Sequence, residues 1–284
     1  MATTHPDEFP SMALVQLIET SEMQALQSCV TAAERSGWAL PIAGGMALYR
    51  RRGSPLNKVV GLGFNDSNEE IPTSLERVEQ AYATEQEPVQ VELSTYAPPE
   101  LTNLLVARGY HFCGFECVLG RSLIAPATTL SPGALITAPI PVRILTRSET
   151  PIWVDVLTQG FSTLHEGETA AEHDDFSQNA LRAVFMDMAA VPTMQHWLAE
   201  IDGLPAGGAT MSTRNRIAQL FGAATLPPFR RRGVQSRLLQ ARLEHAAAAD
   251  CTLAVITTQP GSASQRNAQR CGFVPLYARA IWRR

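Results

Sequence analysis

The sequence predicts an α/β fold made of two similar units in tandem, and three observations lead to it. Segments with strand-like and helix-like periodicity alternate along the chain. Residues 126–141 carry Pro126, Pro132, Pro139 and Pro141 and interrupt every period, as a linker does. Laid over each other without a gap so that Gly109-Tyr110 meets Gly272-Phe273, the two halves match in element order. Residues 91–95 then meet 254–258, and a helix starting at Ile71 meets one starting at Val234. Few residues are identical in that overlay, so the match is one of order and boundary. The units read this way are 1–125 and 142–284, with 126–141 between them.

Each element has a local reason. Leu14, Leu17, Ile18, Met23, Leu26 and Val30 share one face of a helix over 12–36, which Gly37 ends. Strand-like segments follow at 38–51 and 58–64, then a helix over 71–85, a strand at 89–96, a helix over 98–108 and a strand at 110–121. Past the linker come a strand at 142–145 and helices over 149–161 and 176–190, the two helices separated by the polar run STLHEGETAAEHDD. Strands at 195–201 and 206–212 form a hairpin around Asp202-Gly203-Leu204-Pro205, whose residues favour turns. A strand at 217–226, a helix over 234–249, a strand at 253–258, a helix over 262–270 and a strand at 273–282 complete the order. Residues 251–256 are almost continuously apolar, the pattern of a strand buried on both faces.

Composition narrows the function. Of 284 residues, 45% are apolar and 18% charged, an ordinary globular mix, and a net charge of −4 argues against a general nucleic-acid or membrane-surface binder. Five cysteines, an odd number at irregular spacing, suit a reducing compartment better than a disulfide framework, and the protein is expected to be cytoplasmic. Cys113 and Cys117 would face one side of a strand and lack a second ligand pair, so they are expected to be buried thiols and not a zinc site. No apolar run approaches the ~18–20 residues of a membrane span, and MATTHPDEFP is not a signal peptide.

The stretch TLPPFRRRGVQSRLL carries the chemistry. Arg230, Arg231 and Arg232 run into Gly233 where a strand pattern ends and a helix pattern begins. The first four amides of a helix have no partner inside it, the helix dipole is positive there, and glycine allows close backbone approach. Such a place is an anion cradle, or else a solvated basic turn capping a surface helix.

Here the residues resemble a family. Arg230-x-x-Gly233-x-Gln235 is similar to the pyrophosphate signature Q/R-x-x-G-x-G/A of the GNAT N-acetyltransferases, with Gln235 departing at the last position. The resemblance is firm over residues 195–284. It implies two GNAT-like domains, each a splayed mixed β-sheet flanked by helices, with acetyl-CoA or another acyl-CoA as co-substrate and no metal. It further implies that Ala224, Thr225 and Leu226 hold the pantetheine arm, while Arg231, Arg232, Gly233, Val234, Gln235 and Ser236 hold the diphosphate. Ser264 and Asn267 would reach the cofactor from the following helix. Acetyl transfer would go directly to a small amine acceptor. Where the family often has a tyrosine in that helix, this chain has Ala268; Tyr277 is the nearest substitute by sequence, and Glu200 is the candidate for proton removal through water. His165 and Glu166, in a cluster with Glu168, His173, Asp174 and Asp175, are candidates for contacting the acceptor. The first unit has Ser67-Asn68-Glu69-Glu70 where the second has its arginines, so it is expected to be a degenerate copy without CoA binding. A CoA-binding regulatory or interaction module without turnover is the alternative. The sheet of the family commonly has one more strand than the residues after Trp282 can supply, so a strand borrowed from the first half, or a homodimer, is expected.

Overall fold

The computed structural model describes residues 10–32, 37–64, 70–124, 140–163 and 176–284. The chain forms two compact units: Met1–Leu119 with Thr258–Pro260 and Pro275–Arg284, and Gly120–Thr257 with Gly261–Val274.

Unit 1 contains α1 (Met12–Thr31), β1 (Trp38–Ile42), β2 (Gly45–Tyr49), β3 (Lys58–Val60), α2 (Ile71–Thr84), β4 (Gln90–Ser94), α3 (Pro99–Ala107) and most of β5 (His111–Ser122). The stretch read as one strand over 38–51 is a hairpin instead. Ala43 and Gly44 take φ of 43° and 82°, the two-residue turn that matches strand twist, and Gly44-Gly45 was its signal. Ile42, Leu75, Val78, Val91 and Leu105 form the core with Tyr82, whose hydroxyl donates to the Leu48 carbonyl at 2.5 Å.

The C-terminal strand, β11 (Val274–Arg283), runs antiparallel to β4, with Arg279 opposite Ser94 and Ile281 opposite Glu92. The boundary read from the sequence put residues 275–284 with the second half; in the structure they group with unit 1, in the strand order β1-β2-β3-β4-β11-β5. Charge explains why this strand is held there. The buried face of α1 carries not only Val15, Ile18, Ala25 and Val30 but also Glu19, Ser21 and Glu22, while Leu17 of the expected face is exposed. Arg279 is 1% exposed. It donates to Glu19 Oε1 at 2.8 Å and grips both oxygens of Glu22, at 3.1 and 2.7 Å.

Cys113 and Cys117 are not the buried pair expected: Cys113 is exposed and Cys117 half-buried, and Gly114 between them, at φ 156°, interrupts the strand's regularity. Among the described residues no group of three or more His, Cys, Asp or Glu side chains could hold a metal ion, and no helix is long and apolar enough to cross a membrane.

Unit 2 contains β6 (Val142–Ile144), α4 (Thr150–Phe161), α5 (Gln178–Ala189), β7 (Met194–Ile201), β8 (Leu204–Arg214), β9 (Ile217–Thr225), α6 (Val234–Ala248), β10 (Leu253–Thr258) and α7 (Ala263–Arg270). Its strands lie in the order β10-β9-β8-β7-β6; β10 is parallel to β9, and the other pairs are antiparallel. Asp202-Gly203 and Asn215-Arg216, all at positive φ, make the two tight turns. A capping box joins Thr146 and Glu149 ahead of α4. Most of the proline-rich segment, residues 125–139, lies outside the described residues.

Candidate acyl-CoA site

Two departures from regular sheet geometry open unit 2. β9 pairs with β10 only over residues 217–220, opposite 253–256, and continues to Thr225 without a partner on that side among the described residues. On its other side, Gly208 lies opposite Ala224 but Thr210 lies opposite Phe221, so Gly222 and Ala223 together face the single residue Ala209. That is a β-bulge, which bends a strand and increases its local twist. Gly222 sits there at φ 33°.

The chain leaves this strand through a single helical turn at Pro227–Phe229 and enters α6 with Gly233 as its N-cap, at φ 86° and ψ 4°. The first amide after it to bond inside the helix is that of Arg237, to the Gly233 carbonyl at 3.0 Å. The amides of Arg232, Gly233, Val234, Gln235 and Ser236 therefore have no acceptor among the described residues. Small residues let the helix end come this close to the sheet. A Cβ at Gly207 would lie 2.6 Å from Val234 Cγ1 and 2.8 Å from the Ala224 carbonyl oxygen, and one at Gly160 would lie 2.5 Å from Ala224 Cβ.

The three arginines divide their work. Arg230 turns inward and donates to the carbonyls of Thr225, Gly160 and Thr163, the last at 2.8 Å, tying the end of α4 to the end of β9. Arg231 and Arg232 are exposed. Arg232 lies 5.7 Å from the Phe229 ring centroid and 3.7 Å from the mostly solvated Asp202 carboxylate, a pair too long and too wet to hold it. Thr225 Oγ1 and Gln235 Oε1 are buried without a hydrogen-bond partner among the described residues. Ser236 Oγ donates to Asn267 Oδ1 at 3.2 Å, which brings α6 and α7 together, and Ser264 is exposed on the first turn of α7.

The candidate catalytic residues are placed elsewhere. Tyr277 belongs to unit 1, where its hydroxyl donates to Glu19 Oε1 at 2.6 Å and burial holds its proton well above the usual phenol range. A phenol committed to a buried carboxylate is a structural partner and not a poised acid. Glu200, next to a register shift in β7, accepts from Arg143 at 2.7 Å, and Arg143 also binds Glu149. Strand β8 separates it from β9. His165 and Glu166, with Glu168, His173, Asp174 and Asp175, lie outside the described residues.

Two polar residues near the bulge escaped the sequence reading. His196 Nδ1 lies 3.1 Å from Thr210 Oγ1 under the Trp153 ring, and burial pushes its pKa down to about 4, so the ring is neutral. Arg242 is 1% exposed, with its pKa pushed down to about 9 by burial. It donates to the carbonyls of Leu238, Thr210 and Phe221. Its signal in the sequence was an arginine on the apolar stripe of Leu238, Leu239, Leu243 and Ala246.

Residues 159–273, which include the opened strands, the bulge and the helix terminus, match the acetyltransferase (GNAT) family. That match lies within the second half of the chain. The fold likeness extends over the whole chain. A GCN5-related N-acetyltransferase from Kribbella flavida is 18% identical, with 96% of each chain covered and a TM-score of 0.67. A tandem GNAT protein from the clavulanic acid biosynthesis pathway is 11% identical, covering 99% of this chain and 96% of its own, with a TM-score of 0.63. A GCN5-related N-acetyltransferase from Sphaerobacter thermophilus is 12% identical over the same shares, with a TM-score of 0.58. No curated protein matches. The chain as a whole is similar in fold to these proteins, a tandem GNAT protein among them.

Proposed function

We propose that unit 2 is an acyl-CoA-dependent N-acetyltransferase that passes an acetyl group directly to a small amine. One observation carries the reading: five main-chain amides at the start of α6, from Arg232 to Ser236, have no acceptor among the described residues, and β9 past Leu220 has no strand partner on its β10 side among them. A diphosphate suits those donors and the exposed guanidinium groups of Arg231 and Arg232. The edge of β9 past Leu220 suits the amides of a pantetheine arm, and the buried Thr225 hydroxyl is a further donor at its end. Ser264 and Asn267 of α7 flank the same helix terminus.

Acetyl-CoA would supply the activated thioester. An amine nitrogen in its neutral form attacks the carbonyl carbon, the C–N bond forms as the C–S bond breaks, and sulfur leaves with the electron pair. The proton shed by nitrogen ends on the thiolate or on water. Main-chain donors of the doubled residues at the β9 bulge would steady the oxyanion. Neither Tyr277 nor Glu200 fits the acid or base role, because each is committed to another partner.

Titration with acetyl-CoA, followed by a thiol-release assay with a panel of small amines, tests the proposal. Saturable binding with amine-dependent thiol release is expected. Binding without release from any amine would instead support a CoA-binding regulatory module, and no binding would overturn both.

A further inference from the structure

We propose that Arg242 is a positioning residue for acyl transfer: from α6 its buried guanidinium clamps the carbonyls of the residue pair that borders the β9 bulge on one side and so fixes the main chain of Gly222 and Ala223. The inference rests on reading unit 2 as an acyl-CoA transferase.

A buried guanidinium is costly unless paired, and it is usually paired with a carboxylate. Among the described residues no carboxylate forms an ion pair with Arg242, and its hydrogen bonds go to main-chain carbonyls alone. Packing does not require it, since its helical neighbours Leu238, Leu239, Leu243 and Ala246 are buried apolar residues and a methionine would fill the stripe. What distinguishes its position is the pair it holds. Nη1 donates to the Thr210 carbonyl at 3.0 Å and to the Phe221 carbonyl at 3.3 Å, and Thr210 and Phe221 are the opposed residues at which register shifts by one. Ala209, which faces the doubled residues, gives its carbonyl to the indole of the fully buried Trp153 through a long bond of 3.4 Å. Ala209, Thr210 and Phe221 at the mismatch are thus each tied to a helix side chain.

The clamp has a mechanical consequence. A bulge can migrate along its strand, and a shift of one residue turns every side chain and amide over that length to the other side. A donor holding one carbonyl on each strand resists that slip and so holds the main chain of Gly222 and Ala223 in one register.

The test uses Arg242→Lys and Arg242→Met in the full chain, with acetyl-CoA affinity, steady-state kinetics on an amine that the wild type accepts, and hydrogen exchange at residues 222–223. Lysine keeps the charge but loses the planar guanidinium, whose Nε–H bond to the Leu238 carbonyl holds Nη1 in place between the two strands. For Arg242→Lys, we expect acetyl-CoA affinity within about threefold of wild type, kcat lower by about tenfold or more, and amine KM changed by less than about threefold. Exchange at 222–223 should quicken by about tenfold. Arg242→Met should lose more kcat; if it fails to fold, the lysine variant decides. A kcat within about twofold of wild type in the folded variants, or a loss of kcat matched by an equal loss of acetyl-CoA affinity, overturns the proposal. Should the wild type bind acetyl-CoA yet release no thiol, the transferase reading fails while the clamp is still judged by exchange, where an unchanged rate at 222–223 overturns it.

Discussion

Replacing Arg232 and Gly233 together by glutamate puts two carboxylates where the cradle has a guanidinium and open amides. A charge-assisted hydrogen bond from Arg232 to a diphosphate would contribute about 1.5–3 kcal/mol, and its loss removes that. A carboxylate about 6 Å from a phosphate charge, at an effective dielectric constant of about 20, adds roughly 3 kcal/mol of repulsion, and solvent at this exposed helix end reduces it by about half. The sum, about 4 kcal/mol, is close to a thousandfold in Kd. The fold bears a smaller cost. Gly233 sits at φ 86°, where a side chain costs about 1–2 kcal/mol. A Cβ on Gly233 would meet Ile140 Cδ1 first, at 3.9 Å, so no clash adds to it. A drop in Tm of roughly 2–8 °C follows for a chain of this size. Calorimetric titration with acetyl-CoA, beside a thermal melt, measures both quantities. Gly233→Ala is the control, with the same backbone cost and affinity held within about tenfold of wild type. A charge-reversed protein that melts as expected but binds acetyl-CoA within about threefold of wild type would refute the cradle.

Tyr277→Phe should destabilise the protein by about 1–2 kcal/mol through loss of the bond to Glu19, and leave kcat within about twofold; a collapse of kcat in a folded variant would return Tyr277 to catalysis. Gly207→Val would drive a side chain into Val234 and the Ala224 carbonyl, so acetyl-CoA affinity should fall along with about 1–3 kcal/mol of stability, and an unchanged titration would contradict the close approach of α6. Glu149 is held down to about 2 by Arg143 first and then by Thr146. A carboxyl whose folded pKa lies below its unfolded value adds stability above about pH 4.5 that is lost as pH falls toward 2. Glu149→Gln should therefore flatten the acid-unfolding curve in that window, and an identical curve would count against the capping cluster.

Local chemistry determined much by itself. The run from Arg230 to Ser236 specifies a turn, a glycine cap and a helix start with unpaired amides, because cap geometry depends on a few adjacent residues. Alternation of strand and helix patterns gave the α/β class, since those periods follow from backbone geometry alone. The resemblance to GNAT proteins rests on that same local run.

Tertiary structure decided what depends on partners far apart in the chain. Glu19 and Glu22 look like ordinary surface carboxylates on α1 until Arg279, some 257 residues later, buries with them and holds β11 in unit 1. The same contact removes Tyr277 from the candidate acids, because a hydroxyl can be judged only by the group it faces. Arg230 opens the signature by position and proves to be a tie between α4 and β9. The bulge at Gly222 and the clamp on it arise from register between two strands and a helix, and register is a relation among elements that no single stretch of sequence contains.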